Sequence, residues 1–237
     1  GGLGRTYLAY DLYRFNEPCV LKEFAPIGGH DHLDKLRSLF RREGRILYEL
    51  DHPQIPQFFA CFEDRERLFL VQEYIEGKSY SQLLQERLKK RKTFSESEIR
   101  QWLKDILPVL DYVHQRGIIH RDISPENIMQ SDRQQLPILI DFGVGKQLLE
   151  NMDLSSASTV GQQTVVGKVG YAPYEQMILG HSSPQSDLYA LGVTALVLLT
   201  GKDPNELFDL NSWEWQWNSN VKVSKPFVQI LDRLVAD

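Results

Sequence analysis

The sequence predicts an α+β fold in two lobes, a small strand-rich N-terminal lobe carrying one helix and a larger, mostly α-helical C-terminal lobe. Three observations lead there. Short runs in the first third alternate apolar and polar residues, as strands do. One amphipathic stretch interrupts them, and from about position 80 onward apolar residues recur at helical spacing. A chain of 237 residues has room for such a pair of lobes within one domain.

The segments RTYLAYD (5–11) and EPCVLKEF (17–24) have the alternation and flanking turn residues of a hairpin. HLDKLRSLFRREGRILYEL (32–50) follows, with Leu36, Phe40, Leu47 and Leu50 on one helical stripe. Glu43 falls on that stripe too. A carboxylate on an inward face is costly without a partner, and Lys22 on the preceding strand is the candidate. LFLVQEYIEG (68–77) reads as a further strand ending at Gly77, with a hinge near Glu76–Gly77. The lobes are therefore drawn as 1–75 and 76–237.

In the second lobe, FSESEIRQWLKDILPVLDYVHQRG (94–117) opens with Ser95 and Glu98 at capping-box spacing. Ile99, Trp102, Leu103, Ile106, Leu110 and Val113 then repeat at helical period, Pro108 is expected to kink the helix, and Gly117 stops it. GIIH (117–120) and PILIDFG (137–143) suit a small sheet lining a cleft. LLENMDLSSASTVGQQTVV (148–166) is polar and aperiodic, a mobile loop. The apolar run from Ala190 to Leu199 is shorter than the ~20 residues a membrane span needs, so it is a buried core helix.

A net charge of −5 argues against a protein that coats nucleic acid, while leaving room for a basic pocket. Cys19 and Cys61 form no metal or redox motif and read as buried thiols of a reducing, cytoplasmic compartment. The chain opens on GGLGRTYLAYD, without an initiator Met or a secretory signal. It is expected to be a piece of a longer protein, and a membrane anchor beyond these residues stays open.

The chemistry concentrates in an ordered series. Gly1, Gly2 and Gly4 precede a strand, Lys22 lies on the next strand and Glu43 on the helix. HRD follows at 120–122, with Asn127, DFG at 141–143 and APYE at 172–175. The glycines alone would be read as a plain turn. Taken together the series resembles the eukaryotic-type (Hanks-type) Ser/Thr protein kinase family over nearly the whole chain. GGLGRTYLA and YAPYEQ are similar in style to bacterial members, cyanobacterial ones above all.

The resemblance implies a bilobal protein-kinase fold, ATP and Mg²⁺ as nucleotide and cofactor, and protein hydroxyls as acceptors. It makes Gly1, Gly2 and Gly4 backbone donors over the phosphates. The family's first glycine would lie before residue 1. Lys22, held by Glu43, binds the α- and β-phosphates; Asp141 and Asn127 coordinate Mg²⁺, whose preference is for hard oxygen ligands; Asp122 accepts or orients the proton of the attacking hydroxyl. Adenine meets backbone groups of Glu73 and Ile75 at the hinge and lies between Val20 and Met129, with Thr6 where the family usually has valine and Gln72 as gatekeeper. His120 packs beneath Phe142, Arg121 binds a phosphate on the activation loop, and Asp187 holds the catalytic loop's backbone.

One departure stands out in HRDISPENIM. Ser124 occupies the position of the family's lysine, and Lys168, in GKVGYAPYE, occupies the position of the threonine with which that lysine pairs. The two side-chain types are exchanged, conserving one ammonium and one hydroxyl. Lysine's long stem lets its charge reach the transferring phosphoryl group from either origin. Ser155, Ser156, Ser158, Thr159 and Thr164 are candidate autophosphorylation sites, and Thr159 or Thr164 could pair with Arg121 once modified. An unmodified polar loop is the alternative. Glu175 is expected to pair with an arginine beyond Asp237, since Arg233 comes too early. Two rival functions remain: a pseudokinase that binds nucleotide as a scaffold, and a small-molecule phosphotransferase, which would lack the long loop ending in APYE.

Overall fold

A computed structural model describes residues 4–24, 33–142, 170–173, 176, 180–209 and 212–236, without the side chains of residues 4, 33–36, 39, 43 and 220. Gly1, Gly2, Gly143, the span from Ser155 to Thr164, Lys168, Tyr174, Glu175 and the Glu43 side chain therefore lie outside the described residues. The described residues fall into two compact units, one up to Ile75 and the other from Glu76 onward.

The first unit is a four-stranded antiparallel sheet with one helix. Strands β1 (Gly4–Asp11), β2 (Glu17–Phe24), β3 (Phe58–Asp64) and β4 (Arg67–Glu73) lie in the order β1-β2-β4-β3. The predicted β1–β2 hairpin turns where the Asp11 carboxylate accepts the Tyr13 N–H at 2.9 Å. Phe15 and Asn16 complete the turn with left-handed φ angles of 55° and 63°.

Directly paired residues share a sheet face. One row therefore runs Thr6–Lys22–Leu70–Cys61 and its neighbour Leu8–Val20–Gln72. Helix α1 (Leu33–Tyr48) lies on this face. Phe40 meets Phe24 edge-on at 5.6 Å between ring centroids, and an added Cβ on Gly44 would come within 3.2 Å of Cys61 Sγ. The close approach explains a glycine in the middle of the helix. Phe40, Leu47, Leu50, Leu68 and Leu70 are buried as the core beneath. Full burial of one such side chain stabilises by about 1.5–3 kcal/mol. Cys19 is buried as expected, but Cys61 is exposed, because it stands on the outermost strand of the sheet.

Two expectations change here. Strand β3 was not foreseen: FFACFED does not alternate regularly, a bulge interrupts its pairing between Phe58 and Ala60, and its turn uses Arg65 and Glu66 with φ of 46° and 62° in place of glycine or asparagine. Also, β4 stops at Glu73, and Gly77 begins a separate short strand, β5 (Gly77–Ser79). Gly77 has φ of 151°, and any Cβ there would sit 2.0 Å from the Gln130 carbonyl oxygen.

In the second unit, β5 pairs with β6 (Ile128–Ser131), which pairs with β7 (Pro137–Leu139). GIIH is thus not a strand; IMQS and GKS take that place. Helix α2 (Tyr80–Lys89) starts at a Ser79–Gln82 capping box, and α3 (Glu96–His114) at the predicted Ser95–Glu98 box. Helix α3 runs as one element through Pro108, which lies on its exposed side, and buries Ile99, Trp102, Leu103, Ile106, Val109, Leu110 and Val113. Past its end, Ile118 N–H reaches back to the Val113 carbonyl at 3.0 Å while Gly117 takes φ of 70°, the left-handed stop the sequence announced.

Helix α4 (Pro184–Thr200) is the buried hub, with Ala190 to Leu199 all inside. Gly192 lets α6 (Lys225–Leu234) approach: a Cβ there would be 2.8 Å from Leu234 Cβ. Between these helices lie the single-turn α5 (Pro204–Leu207) and the small β8 (Phe208–Asp209) and β9 (Glu214–Trp215) hairpin. Among the described residues no helix is long and apolar enough to cross a membrane.

Candidate active site

The catalytic-loop segment 120–127 links α3 to β6 without regular structure, so its backbone groups need other partners. One side chain holds the first two N–H groups of the segment. Asp187, in the first turn of α4, is fully buried; its Oδ2 accepts the His120 backbone N–H at 2.8 Å and His114 Nε2–H at 2.8 Å, and its Oδ1 accepts the Arg121 N–H at 2.9 Å. A buried carboxylate is tolerable with three donors around it. These bonds also hold Arg121 at φ of 67°, a left-handed conformation costing a non-glycine residue about 1–2 kcal/mol.

His120 is the second anchor. It is wholly buried, its Nε2–H donates to the Ile140 carbonyl at 2.9 Å, and its Nδ1 accepts the Asp122 N–H at 3.3 Å. Both nitrogens are used in the neutral tautomer, and burial pushes the imidazole below its ordinary value, against the pull of nearby Asp187. The ring packs on Phe142 at 4.7 Å between centroids. With both nitrogens so used, His120 joins the loop to the segment leading into Asp141.

Asn127 closes the loop from its far end. Its Nδ2 donates to the Asp122 carbonyl at 2.7 Å, its backbone N–H to the Ser124 carbonyl at 3.0 Å, and its carbonyl accepts Ile140 N–H at 2.9 Å. Asp122 and Asn127 are half-buried, and Asp141, at φ of 60°, is exposed. Gln176, buried, donates through Nε2 to the Arg121 carbonyl at 2.9 Å. Sequence reasoning missed Gln176 and His114. The first directly follows APYE and the second ends α3, but neither position signals a hydrogen bond to the loop or its anchor.

Ser124 is fully buried, and its Oγ has no hydrogen-bond partner among the described residues. Met129 is half-buried on β6, paired with Ser79 and Ile138. The structure thus gathers Asp122, Ser124, Asn127, Met129 and Asp141 around one loop and its adjoining sheet.

The remaining predicted residues belong to the first unit. Val20 and Lys22, both half-buried, point to the face of β2 that carries α1. Thr6 pairs with Lys22, and Gly4 begins β1. Gln72 is buried beside Val20. Glu73 donates its N–H to the Gln57 carbonyl at 2.8 Å and ends β4, with Ile75 two residues beyond. A cavity of about 570 Å³ lined by Cys19, Leu21, Phe58, Phe59 and Val71 lies on the opposite sheet face and contains none of these residues.

A two-unit α+β chain with this loop, anchored in this way, matches known proteins throughout its length. The protein kinase domain family model covers residues 1–235, and the chain belongs to that family. Serine/threonine-protein kinase B of Synechocystis sp. is 39% identical over 242 residues, 99% of this chain and 41% of that protein. Serine/threonine-protein kinase PknA of Nostoc sp. is 38% identical over 242 residues, 100% of this chain and 42% of that one. The chain spans about two fifths of the length of these curated relatives. Among solved structures, PpkA-294 in its apo form shares the fold with a TM-score of 0.74 at 24% identity, covering 100% of this chain and 86% of that one.

Proposed function

We propose that this chain is the catalytic domain of a serine/threonine protein kinase, moving the γ-phosphoryl group of ATP to hydroxyls of protein substrates. The observation that carries the reading is the pinned backbone on both sides of Asp122. Asp187 and Gln176 grip residues 120 and 121 from one side, and Asn127 grips the Asp122 carbonyl from the other. None of these bonds uses the Asp122 carboxylate, which in this reading receives or orients the proton of the incoming alcohol. Preorganisation of this kind lowers the reorganisation needed at the moment of reaction.

Mg²⁺ fits the donors present. Among the described residues no three His, Cys, Asp or Glu side chains gather as a self-sufficient metal site. Asp141 and the Asn127 Oδ1 offer two hard oxygens, the sparse set that suits a Mg²⁺ completing its shell with phosphate and water. The ion, when bound, neutralises charge on the phosphates. Lys22, supported by Glu43, holds the α- and β-phosphates; Gly1, Gly2 and Gly4 offer backbone N–H groups; Thr6, Val20 and Met129 enclose adenine, which bonds to the backbone at Glu73 and Ile75.

Lys168 replaces the usual catalytic-loop lysine. A buried hydroxyl left unpaired costs about 1–3 kcal/mol. The orphaned Ser124 Oγ therefore supports a role as acceptor for the Lys168 ammonium, whose charge serves the transferring phosphoryl group. Substrates include the chain's own segment from Ser155 to Thr164.

The test is transfer of labelled phosphate from Mg·ATP to seryl and threonyl residues, with Asp141→Ala as the inactive control. Lys168→Thr should nearly abolish transfer, and adding Ser124→Lys should recover much of it. If Lys168→Thr retains full rate, the exchange has no catalytic meaning. Nucleotide binding with no transfer at all would leave the scaffold function instead.

A further inference from the structure

Immediately after Lys22, and on the opposite face of the sheet, lies a carboxylate that none of the roles above uses. Glu23 is 6% exposed in a part of the sheet where its neighbours are mostly exposed. Its Oε2 accepts the Tyr7 hydroxyl of β1 at 2.7 Å, and its Oε1 accepts Arg67 Nη1 of β4 at 2.7 Å. One side chain of β2 therefore ties the strands on either side of it. The Tyr7 hydrogen bond, then the Arg67 and Arg5 charges, hold the carboxyl below its usual range, so it is ionised and both bonds are charge-assisted.

Among the described residues β1 is an edge strand of the sheet, paired with β2 alone. Beyond its backbone ladder to β2, the Tyr7–Glu23 bond is a specific side-chain restraint on its position. Tyr7 sits one residue from Thr6 and three from Gly4, the nucleotide-facing residues of the functional reading. Glu23 sits one residue from Lys22. Alternation in a strand places Thr6 and Lys22 on one face and Tyr7 and Glu23 on the other. The triad thus acts from behind on the residues that meet the phosphates.

We infer that Tyr7, Glu23 and Arg67 form a three-strand latch that positions β1, from Gly4 onward, and Lys22 for nucleotide. The inference rests on the kinase reading for its catalytic consequence, but the mechanical half belongs to the first unit alone. Glu23 and its partners are positioning residues that never touch substrate. Loosening them should weaken the grip on ATP and leave the chemical step nearly untouched, because Asp122, Asn127 and Asp141 stand in the other unit.

The experiment compares unaltered protein with Tyr7→Phe, Glu23→Gln, Arg67→Met and Arg67→Lys. KM for ATP and kcat, thermal stability, and amide hydrogen exchange across Gly4–Asp11 are read on each. Expected in the first three are a rise in KM for ATP of about threefold or more with kcat within about twofold, and faster exchange in β1. Arg67→Lys should restore part of both. A fall in melting temperature with KM and β1 exchange unchanged overturns the latch, since the triad would then be only a stabilising contact. Should the unaltered protein show no Mg·ATP-dependent transfer, the kinase reading falls, and exchange alone decides the latch: faster exchange in Tyr7→Phe supports it and identical exchange overturns it.

Discussion

The two units position their functional residues by different physical means. In the first, Lys22 and Val20 are placed by strand register: pairing with Thr6 and Leu70, or with Leu8 and Gln72, decides which face they take. A slip of one residue would send both to the other face. In the second, Asp122 and Asn127 lie on irregular backbone, and buried side chains take over the work of a ladder: Asp187, His120 and Gln176 supply the partners that neighbouring strands supply elsewhere. Register is distributed over many weak pairings and tolerates single losses. An anchored loop depends on a few groups, each of which is hard to replace.

The sharpest way to break this contrast is to remove the principal anchor. Asp187→Ala strips the acceptor from the buried His120 N–H and from the part-buried Arg121 N–H and His114 ring. It should cost about 3–5 kcal/mol of stability, and phosphotransfer should fall about 100-fold or more even at temperatures where the variant is folded. Denaturant unfolding and initial rates measure the two effects. A variant that lost stability but kept its rate per folded molecule would show that the loop holds its shape without Asp187.

Leu70→Ala probes the other unit. Leu70 is 1% exposed on β4, and its truncation should leave a cavity costing about 2–4 kcal/mol. Here the rate per folded molecule should stay near that of the unaltered protein, because the register around Lys22 survives. A selective loss of activity would mean that the sheet is as dependent on single groups as the loop is.

A third effect is a pH dependence confined to the anchored loop. His120 is depressed by burial below its unfolded value of about 6.5. Below that pH the unfolded chain binds a proton that the folded protein resists. The stability this group contributes is therefore fully present above pH ~6.5 and is lost as pH falls toward the depressed folded value, at up to about 1.4 kcal/mol per pH unit. Unfolding measured from pH 7.5 downward should show this slope, and His120→Gln should flatten it. The smallest change is expected from Ser124→Ala. Removing a buried hydroxyl with no partner among the described residues relieves its desolvation penalty, so stability should hold or rise by about 1 kcal/mol, while activity falls if Lys168 uses it.

The contrast also accounts for what the sequence revealed. The β1–β2 hairpin, the stripe of α1, the capping box of α3, its Gly117 stop and the apolar α4 are all written in local patterns, and each was read from them. Strand β3 was hidden because its turn, Arg65–Glu66, adopts left-handed conformations without the usual turn residues. GIIH looks like a strand by composition, yet the N–H of His120, its last residue, is taken by a carboxylate from a helix 67 residues further along the chain. No periodicity encodes a partnership of that kind. Within the site, the family resemblance picked out Asp122, Asn127, Asp141 and Asp187, whereas Gln176 and His114 act through contacts that only the folded chain brings about. The Tyr7–Glu23–Arg67 triad was equally invisible, since its members stand on three separate strands and no local pattern pairs them.

The central claim is that Asp187 holds the backbone before Asp122 in its working shape. Amide exchange at His120 and Arg121, measured residue by residue in the unaltered protein and in Asp187→Asn, tests it most directly. Strong protection of both amides in the first and its selective loss in the second, with α3 and α4 amides unaffected, is the predicted result. Equal protection in the two proteins would contradict it.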